Sequence, residues 1–277
     1  MIVPAPSVCF SIDVERDYRL DGQLTARGVT EGLPPFVDLL RDQRIPFDVM
    51  VSAEIIPHLS RRSLASVDDL ITLGCHGNSH SPGYLNKLSF DAQETDIRTA
   101  TDLIRRTYNR APVSFRAPNF SADGRTIRIL KSLGYRADSS VLPGRRVKRW
   151  RILPMIDHRG TPESPYFTDE SHFPMPGPPA LLEIPVAPNR VLPGGPLGLG
   201  FLNSFGPGAF RKAMDLNTSP YIVILAHSWE MVSWGDSDPV APWVRTASKS
   251  DTSSLRGLVE SLADSRFVST EAILANE

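Results

Sequence analysis

The chain has few cysteines, no long apolar run and no surplus of charge of either sign. Each absence excludes a class of protein. Only Cys9 and Cys75 occur in 277 residues, too few for a disulfide framework and simplest to read as thiols of a reducing cytoplasm. No run of 18 apolar residues exists, so no integral membrane segment is expected. Residues 1–7 carry neither a basic stretch nor a long apolar one, so no secretory signal is expected and the cytoplasm is the expected location. Lys and Arg number 30 against 31 Asp and Glu, a net charge of -1, which argues against a nucleic-acid surface or a polybasic anchor. There is no internal repeat and no low-complexity linker.

What is present is an ordinary folded composition, 41% hydrophobic and 22% charged, with 25 prolines as its one excess. Twelve of these lie between Pro143 and Gly198. Before that stretch, strand-like and helix-like segments alternate. Strands are predicted over 8–15, 46–51, 73–76, 113–116 and 135–138. Helices are predicted over 28–42 with Thr30 as N-cap, over 62–72, over 89–109 capped by Ser89, and over 126–133 ended by Gly134. The proline-rich excursion holds one strand candidate, 181–186. Regularity returns with a strongly β run at 221–227, a helix near 252–264 and a strand at 267–269. Alternating β and α units with one irregular excursion predict a single α/β domain over 1–277, built on a parallel sheet or barrel. The excursion 143–198 would form part of a substrate wall. In such folds chemistry collects at the C-terminal ends of strands.

Four clusters stand at those ends. In Ile12-Asp13-Val14-Glu15, alternate residues of a strand share a face, so Asp13 and Glu15 project together. Two adjacent carboxylates stay ionised only with a cation nearby, or one takes up a proton. On two acids alone a solvated strand end is the commoner reading. His76-Gly77-Asn78-Ser79-His80 is an HxxxH pair that can converge on one metal ion, although such spacing also arises by chance. Cys75, pointing away from His76 on a strand, reads as a buried structural thiol. Arg116 in Phe115-Arg116-Ala117-Pro118-Asn119 can grip a carboxylate in a bidentate pair, or be an ordinary surface arginine. His227, ending a buried strand and followed by Trp229, suits a general acid near a sugar-sized pocket, or a satisfied core histidine.

Taken in order, these four clusters resemble the motifs of the polysaccharide deacetylase family, the chitooligosaccharide-deacetylase-like carbohydrate esterases. The resemblance runs from about Val8 to Phe267. Residues 28–34 are similar to a helix start of the cytoplasmic-type branch, 85–89 to the segment after the second motif, Tyr135-Arg136-Ala137-Asp138-Ser139-Ser140 to a Y-x-x-D-S-S segment, and Leu182-Glu183-Ile184-Pro185 to an L-E-I-P strand. The resemblance implies a distorted (β/α) barrel, here with a proline-rich insertion, holding one divalent metal, commonly zinc. It implies hydrolysis of an amide, typically the N-acetyl group of an amino sugar. Asp13 then matches the base, Arg116 the residue that tethers it, and His227 the acid. His76 and His80 match two metal ligands. A backbone N–H just after Pro118, that of Asn119, would help hold an oxyanion, and Trp229 and Trp234 would stack on a sugar face.

The sequence departs from the family pattern in two places. The common first motif has two adjacent aspartates, the second a metal ligand. Here Val14 follows Asp13, which leaves Glu15 as the substitute ligand on the same face. Ser228 follows His227 where the family has proline. The expected partner is a small or sugar-bearing substrate. Other metal-assisted acid–base chemistry, such as ring-amide hydrolysis or epimerisation, and catalytically silent carbohydrate binding are the alternatives.

Overall fold

The computed structural model describes residues 6–59, 64, 69–80, 83–150 and 152–277. Strand β1 (Ser7–Val14), β2 (Phe47–Val51) and β3 (Ile71–Cys75) are buried along almost their whole lengths. That is why they read as near-continuous apolar runs rather than alternating ones. β4 (Ser114–Phe115) and β5 (Ala137–Asp138) are short. With β9 (Leu181–Glu183) and β10 (Tyr221–His227) they complete the parallel part of an eight-stranded sheet, ordered β10-β1-β2-β3-β4-β5-β9-β8. β8 (Tyr166–Thr168) adds an antiparallel edge. Beyond β9 the chain crosses to the opposite edge. Ala187 N–H donates to the Val223 carbonyl (3.0 Å) and Gly198 bridges Leu225. The curled sheet is thereby closed into a distorted barrel.

The parallel register lines up the strand ends. Asp13 stands opposite His227 on one side and Met50 on the other. Val51 faces Cys75, Cys75 faces Phe115, Phe115 faces Asp138, and Asp138 faces Glu183. Residues scattered over more than 200 positions thus end on one rim.

The helices fill the crossovers. α1 (Leu33–Asp42) has Pro34 in its first turn and buries Phe36, Val37 and Leu40. It is preceded by a π-turn over Gly28–Gly32, and Thr30 is not its cap. Thr30 lies inside, its hydroxyl donating to the Ala26 carbonyl (3.0 Å), while the buried Asp17 carboxylate accepts the N–H groups of Arg27 and Gly28 (2.8 Å each). A cap supplied from a separate loop leaves no local pattern to read. α2 (Phe90–Tyr108) starts where the sequence predicts, with Ala92 N–H donating to Ser89 Oγ, and buries Ile97, Ala100 and Ile104. α3 (Gly124–Ser132) is capped by a reciprocal Asp123–Thr126 box and ends before Gly134, whose φ is +81°. Of the helix expected over 62–72, residues 62–63 and 65–68 lie outside the described residues, and β3 has already begun at Ile71.

The proline-rich stretch holds more order than expected. An antiparallel hairpin, β6 (Arg146–Arg149) and β7 (Leu153–Asp157), precedes β8, and the predicted strand over 181–186 narrows to β9. α4 (Leu199–Asp215) is masked in the sequence by its glycines and proline; its backbone breaks at Gly206 (φ 78°). α5 (Pro242–Ala247) and α6 (Ser253–Ser261) follow β10. The strand expected at 267–269 reduces to one bridge between Val8 and Phe267, after which α7 (Thr270–Leu274) begins. Asp48 on β2 decides this, accepting from Thr270 N–H (2.9 Å) and Oγ1 (2.6 Å). No described helix is long and apolar enough to cross a membrane.

Candidate functional site

The site lies on the rim where β1, β3, β4 and β10 end. Val14 points into the hydrophobic core, so Asp13 and Glu15 share the opposite face, both almost completely buried. Ser228 secures the Glu15 backbone, accepting its N–H (3.3 Å) and donating to its carbonyl (3.0 Å). Trp229 Nε1–H donates to Glu15 Oε1 (2.8 Å). That leaves Glu15 Oε2 facing the two histidines. His76 Nε2 is 3.3 Å from it, and His80 Nε2 is in direct contact.

His76 has its tautomer set by its surroundings. Its Nδ1 lies 2.8 Å from the Arg116 carbonyl, which can only accept, so the proton of the neutral ring sits there and Nε2 presents a lone pair. The Nε2 atoms of His76 and His80 are 3.0 Å apart. The turn between them is built for this approach. Gly77 adopts φ +74°, and a Cβ there would press on Asp96 (3.2 Å) and Pro118 (3.4 Å). Asp96 accepts Asn78 N–H (3.0 Å), and Glu54 accepts Ser79 Oγ–H (2.9 Å) and His80 N–H (3.2 Å).

Glu15, His76 and His80 thus bring one oxygen and two ring nitrogens within 4.8 Å of one another. Three electron-pair donors this close repel unless a proton or a cation lies among them. Two imidazoles and a carboxylate are a donor set that suits zinc. Burial alone would raise the Glu15 carboxyl, but His80, His76 and His227 around it hold it well below the usual carboxylate range.

Asp13 is held by Arg116 Nη1 at 2.6 Å. The grip is single, not the bidentate pair expected, because the other nitrogens of the fork are committed to Ser139. Nε donates to its carbonyl (3.1 Å) and Nη2 to its hydroxyl (2.9 Å). Ser139 Oγ in turn donates to the Ile184 carbonyl (2.7 Å), and Ser140 Oγ accepts Ala117 N–H (2.8 Å). The 138–140 segment is therefore the mount for Arg116. Behind it Asp138 and Glu183 face each other fully buried. Burial raises both carboxyls, that of Asp138 to about 6 and that of Glu183 further. Asn119 and Phe120 both take positive φ (56° and 60°) at the rim, and Asn119 Nδ2 donates to the Gly83 carbonyl (2.6 Å). Such strained backbone is found disproportionately at functional sites.

His227 closes the rim from β10. Its ring stacks on Trp229 (centroids 4.9 Å), and its Nδ1 lies 3.3 Å from Glu230 Oε2. Burial alone would lower the imidazole, but Glu230, with Glu15 and Asp13 beyond, lifts it to about 9. Trp229 is spent on Glu15 and His227, and Trp234 donates Nε1–H to the Trp229 carbonyl (3.1 Å) under the Arg27 guanidinium. The exposed aromatics near the site are instead Trp243 and Tyr18, whose rings meet each other and Trp229. Cys75 stays out of the donor group, its buried thiol pushed up to about 12. In the excursion, His158 is buried with Nδ1 accepting Leu142 N–H (3.1 Å), Tyr166 is buried, His172 pairs with Asp169, and Trp150 is exposed on the hairpin.

Sequence reasoning brought Asp13, Glu15, His76, His80, Arg116 and His227 forward, and the structure places all six on this rim. It did not single out Glu54, Glu230, Tyr18 or Trp243, and it reached Ser139 only as part of the Y-x-x-D-S-S segment. Only the acid three residues after His227, at capping-box spacing, was a usable signal for Glu230.

None of the curated proteins matches the chain by sequence. Among solved structures, a protein from Mycobacterium smegmatis named as a polysaccharide deacetylase aligns with TM-score 0.66 at 15% identity, covering 100% of this chain and 94% of the other. An allantoinase aligns with TM-score 0.60 at 12% identity, covering 97% and 89%. A protein from Bacillus anthracis described as a CE4 family pseudoenzyme aligns with TM-score 0.54 at 11% identity, covering 98% and 66%. At these identities the likeness is one of fold. The family model for polysaccharide deacetylase matches residues 21–137, the segment that carries the HxxxH turn and Arg116. Residues 21–137 thus match the polysaccharide deacetylase family model, and the whole chain shares the fold of solved structures named for that family.

Proposed function

We propose that the protein is a metal-dependent amide hydrolase that removes an N-acyl group, N-acetyl first among the candidates, from an amino sugar or a sugar-bearing biosynthetic intermediate. The observation that carries this reading is the convergence of Glu15, His76 and His80 beside an arginine-tethered Asp13. Glu15, His76 and His80 would hold one divalent cation, zinc by preference. When bound, that ion supplies Lewis-acid polarisation of the amide carbonyl and of the attacking water.

The chain's own groups perform the proton work. Asp13, fixed by Arg116, accepts the proton of the attacking water. Its second oxygen, Oδ2, is 3.8 Å from His76 Nε2, so it stands next to the donor group. His227, kept protonated by Glu230, gives a proton to the departing amine. Trp229 excludes water behind Glu15 and fixes the His227 ring plane. The backbone turn at Asn119 is the proposed seat of the oxyanion. Action in the cytoplasm, on a small intermediate, belongs to the same proposal and draws on the two free, buried thiols.

Metal analysis of the purified protein tests the reading, comparing wild type with the His76→Ala/His80→Ala double variant. About one equivalent of zinc or cobalt should remain in the wild type after loading and dialysis, and none in the variant. A screen of N-acetyl amino sugars for acetate release should then be positive in the loaded wild type alone. Equal, negligible metal in both proteins would sink the assignment of the centre. A stereochemical change or solvent deuterium uptake without acetate would replace deacylation by epimerisation.

A further inference from the structure

We infer that the substrate carries an apolar alkyl or aryl group, which lies in a groove bordered by His227. The groove encloses about 390 Å³. His227 and Glu230 line it together with Leu192, Phe201, Phe205, Leu225 and Trp243. The inference rests on the deacylase reading only in placing the scissile amide next to His227.

The chemistry of the walls selects the occupant. Away from His227 and Glu230, three polar side-chain oxygens of the lining are already engaged with the backbone. Ser204 Oγ donates to the Gly200 carbonyl (2.8 Å), and Thr246 Oγ1 donates to the Pro242 carbonyl (3.3 Å). Asn189 Oδ1 accepts the N–H groups of Val191 and Leu192 (2.9 Å each). A sugar ring carries hydroxyls around most of its edge. Buried here, it would leave several without partners, at a cost that apolar contact does not offset. An alkyl or aryl group has no such requirement.

The rim is apolar and open as well. Phe205 is 58% exposed, Trp243 53% and Leu192 49%. Large apolar side chains left in water beside a polar site mark a surface meant to be covered. Size points the same way. The volume equals that of roughly a dozen water molecules at about 30 Å³ each, whereas an acetyl methyl needs about one such share. The groove therefore has room for a chain of several methylenes or for one aromatic ring.

Such a group can sit on the acyl side of the amide or on the amine-bearing sugar, and the two sources are separable. In one series, N-acetyl-, N-butanoyl-, N-hexanoyl- and N-octanoyl-glucosamine are offered to the zinc-loaded protein and carboxylate release is measured. In the other, methyl, butyl, hexyl and octyl β-glycosides of N-acetylglucosamine are titrated calorimetrically. The expected result is a gain of up to about fourfold per methylene in kcat/KM or in affinity, in one series, levelling off once the groove is filled. Phe205→Asp places a carboxylate on the exposed rim and, once its melting temperature is matched against wild type to account for the lost Phe201 ring contact, should flatten that slope; Ala247→Phe, at another wall residue of the groove, should cut it short at fewer carbons. Slopes of zero in both series, or an unchanged slope in both variants, would overturn the inference. Chain-length-dependent binding that Phe205→Asp abolishes, with no turnover of any compound, would retain the groove and discard the deacylase reading.

Discussion

Glu230 is the most informative residue to change, because it acts on His227 without touching the proposed metal ligands. Its carboxylate lies 3.3 Å from His227 Nδ1 and also accepts the His227 backbone N–H at 2.9 Å. Against the pull of burial, Glu230 leads the acids that lift His227 from 6.5 to about 9. That interval corresponds to about 3 kcal/mol in favour of the imidazolium. Glu230→Gln keeps an oxygen for the backbone N–H and removes the charge. Burial then regains its hold against the smaller pull of Glu15 and Asp13, and the imidazole falls back toward its ordinary value. If His227 is the acid, the alkaline limb of the kcat/KM profile moves down by about two pH units. At pH 8.5 activity drops about 30-fold, while at pH 6, where both rings are charged, it stays within about threefold. A bound cation shifts both proteins alike, so the difference between them is the quantity to measure. Stability gives an independent reading. A histidine raised in the fold contributes stability that is complete below pH 6.5 and is lost as pH rises through about 9. Glu230→Gln should therefore flatten the alkaline decline in melting temperature over that window. Coincident pH profiles for wild type and variant would refute the assignment of His227 as the acid.

Arg116→Met leaves the buried Asp13 carboxylate unpaired and should destabilise the fold by about 3–5 kcal/mol, seen as a melting temperature lower by about 5–10 °C; a loss of under about 1 kcal/mol in urea titration would show the pair to be unimportant. Ser139→Ala removes one of the three acceptors that orient the guanidinium and should lower kcat about tenfold with little change in KM, whereas a merely structural serine would leave kcat untouched at permissive temperature. The Asp138 carboxyl, raised by burial to about 6 from 3.8, contributes stability that is complete below pH 3.8 and is lost as pH rises through about 6. That loss amounts to about 3 kcal/mol. In Asp138→Asn, whose side-chain oxygen still accepts from Ser140, the slope of stability against pH between 4 and 6 should be shallower, as chemical denaturation would reveal.

The candidate site was unusually legible because its groups lie at the ends of buried strands. A buried parallel strand must be largely apolar until it leaves the core, so Asp13, His76, Arg116 and His227 stand out as the first Asp, His or Arg side chains after those runs. Helix α2 was legible for a related reason: Ser89 is a local cap and the apolar spacing lies within one segment. The Thr30 cap failed because Asp17 comes from a loop eleven residues away from Gly28 in sequence and bonds through space. The strand at 267–269 failed because Asp48, more than 200 residues distant, captures Thr270 and starts a helix there. α4 was missed because glycines and a proline spoil its pattern, although Phe201, Leu202, Phe210 and Met214 pack into the core all the same.

By itself the sequence determined the alternating strands and helices, the family resemblance and which residue types could do chemistry, since these follow from local periodicity and short spacing. Only the tertiary structure decided how they act. The parallel register sets His227 opposite Asp13. Ser139 takes most of the Arg116 fork and leaves Asp13 a single contact. Trp229 turns inward to Glu15, and the tail of the proline-rich stretch folds back to line an apolar groove beside His227. Each of these is a contact between segments far apart in the chain, where geometry depends on closure of the barrel and not on neighbouring residues.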